Sequence, residues 1–187
     1  MVIIIILGII VLLAIIAVGA YNKYIKLKNL NQEGWSGVEV YLQKRWDLIP
    51  NLVNTVKGYA THESQTLENV IKMRSQVMSI DTKDIDNIEK VQKIENELTK
   101  TLRSIMMLQE SYPNLKADQS FLSLQSELSS IETDVQSARK YYNGTARDLN
   151  TFVETFPNNI IGNFLSFKTA KFFDADDQVH TVPEVKF

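Results

Sequence analysis

No cysteine occurs anywhere in the 187 residues, which excludes disulfides, thiolate metal sites and thiol nucleophiles. Only two histidines are present, His62 and His180, so imidazole chemistry has little to draw on. Seven glycines and four prolines are few, and long stretches carry no turn signal, which favours helices over a sheet of short strands. A formal net charge of −2 gives no general attraction to nucleic acid, and no nucleic-acid partner is expected. Nucleophile triads and phosphate-cradling glycine loops are missing as well. The length suits one domain with ample chain for a helical core.

The longest feature that is present is an uncharged run from Val2 to Ala20. In helix it nearly matches the roughly 30 Å of a bilayer's hydrocarbon core. A buried core helix is disfavoured, because a small bundle cannot wrap a rod that is apolar on every side. A cleaved signal peptide would want a basic n-region and a shorter apolar run, although Val18-Gly19-Ala20 loosely resembles a processing site. A retained transmembrane anchor over residues 1–20 is therefore expected. Lys23, Lys26, Lys28, Lys44 and Arg45 follow the run, while only Met1 precedes it. The positive-inside bias then predicts a single-pass plasma-membrane protein with its N-terminus outside and its body cytoplasmic. Tyr21 and Tyr24 stand where interfacial aromatics are expected.

The body, residues 21–156, reads as three long helices at about 21–78, 86–112 and 118–156. The stripe of the first passes through Trp35, Val38, Leu42, Arg45, Ile49, Leu52 and Val56, then Leu67, Val70, Ile71, Arg74, Val77 and Met78. Pro50 predicts a kink or restart, with Asp47 as cap, and no chain reversal. Gly34 and Gly37 allow a bend or a close helix contact. Ser79–Asp86 is the first clear turn. The second stripe runs through Ile88, Val91, Ile94, Leu98, Leu102, Ile105, Leu108 and Tyr112. Pro113-Asn114 closes that helix and Asp118 is the expected N-cap of the third. There Phe121, Leu124, Leu128, Ile131, Val135, Ala138, Tyr142, Leu149, Phe152 and Phe156 step by three and four, with Thr145 the polar lapse. The architecture expected is all-α, a long antiparallel bundle with coiled-coil-like packing. Residues 157–187 are expected to form a C-terminal segment and mobile tail.

Several phrases together resemble the bacterial LemA family. They are Trp35-Ser36, Lys44-Arg45-Trp46-Asp47-Leu48-Ile49-Pro50-Asn51-Leu52-Val53, Val56-Lys57-Gly58-Tyr59-Ala60, Tyr112-Pro113, Ala138-Arg139 and Tyr142-Asn143. The resemblance covers nearly the whole chain and implies a membrane-anchored helical bundle. It implies no reaction, because the family has no settled biochemical activity; members are loosely associated with envelope function, and a relative serves in magnetosome membrane formation. Where the family often carries a second Tyr-Asn pair, this chain has Leu149-Asn150, and the tail from Phe172 onward is only loosely similar.

Chemical sites are thin. His62-Glu63 lacks the second histidine of a zinc protease, with Thr66 in its place. Neither histidine has the Glu-x-x-His context of a di-iron bundle. No catalytic residue, cofactor or metal is expected, and the chain is read as a non-enzyme. Lys57, Arg139 and Arg147 with Glu63, Glu110 and Glu132 are expected on salt-bridging exposed faces. Trp35, Tyr41, Arg45, Trp46, Asp47, Pro50 and Asn51 are the candidate assembly or interaction surface, against the plainer alternative that they satisfy the Pro50 irregularity and pack internally. Three long helices leave a seam for a fourth, from the same or another subunit, which motivates a homo-oligomer. The expected function is a membrane-tethered scaffold of the bacterial envelope that self-assembles. The alternative is an adaptor recruiting clients to a membrane protease, kinase or transporter.

Overall fold

A computed structural model describes residues 1–82 and 84–173, without the Asp86 side chain. The order is α1 (Val2–Lys57), α2 (Ser64–Met78), α3 (Ile88–Met107), the short α4 (Pro113–Lys116), α5 (Gln119–Glu154) and α6 (Asn158–Leu165). Single 3-10 turns precede α3 and follow it. The fold is all-α, with no strand among the described residues. Residues 174–187, which include most of the expected mobile tail and His180, lie outside the described residues.

The spine is the antiparallel pair α1–α5. Their pairing is fixed along its length by Tyr59 with Asp118, Arg45 with Glu132, and Asn31 with Thr145. Asp118 caps α5 as expected, accepting from the Phe121 amide at 2.8 Å. The 36 residues of α5 correspond to about 54 Å of helix. Gly34 lets the two backbones approach, since a Cβ there would sit 3.1 Å from Thr145 Oγ1 and 3.3 Å from Tyr142 Cα. Gly37 faces open space instead.

The long first helix expected at 21–78 is two helices. Pro50 lies inside α1 without ending it. The break comes at Gly58, and there the chain does reverse. Gly58 weakens the helix by about 1 kcal/mol relative to Ala, and the amides of Tyr59 and Ala60 both close on the Val56 carbonyl. Buried Ala60 seals the turn. From there α2 runs back down α1, so that Arg74 reaches Trp46 and the residue after the hairpin, Thr82, reaches Trp35. Next α3 climbs again, with Glu95 and Thr99 beside Arg45. The fourth helix that closes the bundle is therefore α2 of the same chain, and the open seam that motivated an oligomer is covered from within.

The short α2–α3 hairpin covers only the distal part of the spine. Below Trp35 the spine is covered by α6 and the extended segment 167–173. Two apolar clusters reflect this. The larger runs from Trp35 to Phe121 through Val38, Leu42, Ile49, Leu98 and Ile105, with Phe173 in it. The smaller joins Ala20, Tyr24, Leu149 and Phe152, with Ile161 and Phe167 packed on it. No residue before Ala20 is buried. Phe156, expected in the α5 seam, follows the helix end and is 78% exposed, and Ile71 and Met78 are likewise exposed.

Candidate functional site

Helical spacing puts Leu42, Arg45, Trp46 and Ile49 on the face of α1 that meets α3 and α5, and all four are buried. The Arg45 guanidinium, 4% exposed, donates from Nη1 to Glu95 Oε2 at 3.2 Å and from Nη2 to Thr99 Oγ1 at 2.8 Å. The same Nη2 stands 3.2 Å from Glu132 Oε2. The Trp46 indole donates to the other Glu95 oxygen at 2.5 Å. Thr99 spends its hydroxyl proton on the Glu95 carbonyl, 2.8 Å away, which leaves a lone pair for Arg45.

Glu95 has no exposed surface. Desolvation raises its pKa above the ordinary glutamate value, more strongly than Arg45 and the Trp46 indole lower it. Arg139 completes the layer. Burial lowers its pKa, while Glu95 and Glu132 hold it up. Its guanidinium carbon lies 4.4 Å from the centre of the Phe173 ring, and its Nε has no partner among the described residues. Two guanidinium groups thus balance two carboxylates across three helices. Such a layer binds α1, α3 and α5 in one register, because a one-turn slip would strand a charge in the core.

Pro50 acts through the neighbouring helix. Lacking an N–H, it leaves the Trp46 carbonyl without its helical donor, and Arg74 Nε of α2 supplies one at 2.8 Å. The polar neighbour that satisfies this carbonyl is therefore Arg74, not Arg45, Asp47 or Asn51. Asp47 is exposed, accepts from Gln43 at 2.8 Å and has Arg74 Nη2 at 3.9 Å. Asn51 is exposed.

Trp35 marks the junction of the two covers. Its indole donates to the Thr82 carbonyl at 2.6 Å, and its ring meets Tyr142 and Phe173 edge-on, each at 5.5 Å. Two asparagines on α5 hold the extended segment. Asn143 brackets Phe173, donating to its carbonyl at 3.0 Å and accepting its amide at 2.8 Å. Asn150 does the same to Ala170, at 3.0 and 2.7 Å. Seven helical residues rise about 10 Å, which three extended residues also span. Between them Tyr142 donates its hydroxyl to the Lys171 carbonyl at 2.7 Å; burial pushes that phenol up to about 12. At position 149 Leu fills the interior while Asn150 keeps the clamp.

The candidate surface residues therefore separate. Trp35, Arg45 and Trp46 are internal, Tyr41 and Pro50 half-buried, and Asp47 and Asn51 external. Glu132 and Arg139, expected on exposed faces, are half-buried at the edge of the charged layer. What sequence reasoning missed is Glu95, which lies four residues after Val91 and three before Leu98. It occupies a seam position that an apolar-only stripe assigned to its neighbour Ile94. One face of the spine stays uncovered by either cap: a cleft of about 550 Å³ between α1 and α5. Gly37, Val40, Tyr41, Ser137, Ala138 and Tyr141 line it.

Against known proteins, a family model described as LemA family matches residues 34–187. Among curated proteins, Protein LemA of Metamycoplasma hominis is 25% identical over 161 residues, which covers 86% of this chain and 71% of that one.

Proposed function

The chain belongs to the LemA family, and from that premise we propose that it is a non-enzymatic, membrane-tethered scaffold whose copies assemble side by side. One observation carries the tether. Helix α1 is unbroken from Val2 to Lys57, its first part exposed and apolar and its second part the seam of the bundle. It is a candidate membrane span by length and composition. A continuous helix has no loop in which the body could swivel, so the bundle stands off the bilayer as a stiff post. Lysines after the apolar run favour a cytoplasmic body.

Posts confined to a plane meet at high effective concentration, and weak lateral contacts then suffice for assembly. Because α2 closes the bundle internally, such contacts have to use another surface. The cleft around Gly37 is the one we assign: small residues at its floor admit close approach, and Val40 and Tyr141 supply exposed apolar rims beside the half-buried Tyr41. The test is oxidative crosslinking of a Val40→Cys variant of the full chain in vesicles. Self-linked dimers are expected, and an Asn69→Cys control on α2 should give none. Only monomer from both variants, together with a single monomeric species in mild detergent, would remove the scaffold reading. A recurrent crosslink to one enzyme in the native membrane would favour the adaptor.

A further inference from the structure

Helix α6 is held beside the lower end of the spine and carries a second apolar face that none of the described residues covers. Its inner side is tightly seated. Ile161 packs on the Ala20–Tyr24 cluster. Gly162 lies so close to Phe167 that a Cβ there would be 3.0 Å from that ring. Phe167 in turn stacks on Tyr24 at 4.0 Å between ring centres and nears Tyr21 at 6.5 Å. The Lys168 amide donates to the Tyr24 hydroxyl at 2.9 Å. These contacts fix the height of α6: it sits level with Ala20–Tyr24, where the apolar run of α1 ends.

The outer side is the unusual one. Phe164 is 86% exposed, Phe156 at the turn before the helix 78%, and Ile160 52%. Ile160 and Phe164 lie one turn apart on one helix face, and monomer surfaces seldom leave neighbouring large apolar side chains so bare. Exposed lysines stand around the same level, Lys23, Lys26 and Lys28 on α1 and Lys168 after α6. Apolar side chains flanked by amines at the end of a membrane span match the headgroup–acyl boundary of an anionic bilayer.

We propose that α6 is a second membrane contact, with Phe156, Ile160 and Phe164 entering the lipid surface beside the point where α1 emerges. The inference rests on the tethered reading above. A helix of 8 residues binds lipid weakly alone, but the anchor makes its contact intramolecular. Two points of contact hold the bundle at one tilt and one rotation about α1, so that the cleft of every copy faces along the membrane plane.

Since the chain has no cysteine, single-cysteine variants Leu12→Cys, Phe164→Cys and Met107→Cys can carry an environment-sensitive fluorophore in the full chain. All three positions are exposed, so folding should survive. The probe is phosphatidylcholine–phosphatidylglycerol vesicles with nitroxides at shallow or deep acyl positions. Label at position 12 should be quenched by the deep nitroxide, label at 164 should shift to the blue and be quenched by the shallow one, and label at 107 should respond to neither. Quenching at 12 with position 164 behaving like 107 overturns the lipid contact while the anchor stands. No quenching at 12 overturns the tether and this inference together. A blue shift at 164 that depends on protein concentration and ignores nitroxides would show a protein occupant instead, which also overturns it.

Discussion

Glu95 is a carboxylate with no exposed surface, and its surroundings pull in opposite directions. Its folded pKa lies above the ordinary value of 4.5 because desolvation outweighs Arg45 and Trp46. In that case the native state holds a proton that the unfolded chain has already lost, so stability falls as pH rises from the unfolded pKa to the folded one. Urea unfolding in micelles should find the wild type losing stability relative to Glu95→Gln across that window, with a constant difference above it. Removing one partner outright is a different experiment. Glu95→Leu should cost up to roughly 3–5 kcal/mol by leaving the buried Arg45 with only Thr99 and the half-exposed Glu132, and adding Arg45→Met should recover part of it. Additive costs in that double cycle would mean that the two side chains do not act as a pair.

Helices respond to where backbone groups find partners and where space allows a Cβ. Arg74→Ala should cost about 1–3 kcal/mol by orphaning the Trp46 carbonyl. In a Pro50→Ala background, which restores the helical donor, the same change should cost much less; equal costs in both backgrounds would refute the role given to Arg74. The two glycines of α1 make a matched pair. Gly37→Ala meets open space and should stabilise by up to about 1 kcal/mol. Gly34→Ala has the same propensity gain but presses on the α5 backbone and on Thr145, which is held by Asn31 and the Tyr142 carbonyl. Its benefit should be smaller, and thermal melts of the two variants would compare them directly. At the clamps, Asn143→Leu should raise hydrogen exchange at the Phe173 amide while Ala170, held by Asn150, stays protected.

Across the whole molecule, the core begins at Ala20 and none of its members lies in the preceding apolar run. A chain lacking residues 1–19 should therefore keep its cooperative thermal transition while losing flotation with vesicles. Loss of the transition would mean that the run belongs to the fold itself. Among the described residues, the distal four-helix part and the lower part covered by α6 are joined through the α1–α5 spine, the Trp35–Phe173 junction and an exposed Lys171–Glu89 ion pair. Opening of either cap is free to differ in exchange rate from the other.

Much of this was legible in the residues, because period and punctuation are local properties. The three-and-four stripe from Phe121 to Phe152, the Asp118 cap and the all-α class each follow from neighbours in sequence. The reversal at Gly58 was not, since Pro50 is the stronger local breaker and only packing of α2 on α1, with Arg74 filling the carbonyl Pro50 leaves open, reverses their ranking. Nor could sequence bring Glu95, Arg45, Trp46, Glu132 and Arg139 together, because pairing of charges on α1, α3 and α5 depends on register between helices far apart in the chain. The sequence by itself determined that a long apolar run leads into helices with greasy seams, because burial of apolar surface needs only the pattern. Tertiary structure alone decided which helix closes which seam, which polar groups are sealed inside, and that α6 lies level with the end of the apolar run, because those depend on distances the chain acquires only once it has folded back on itself.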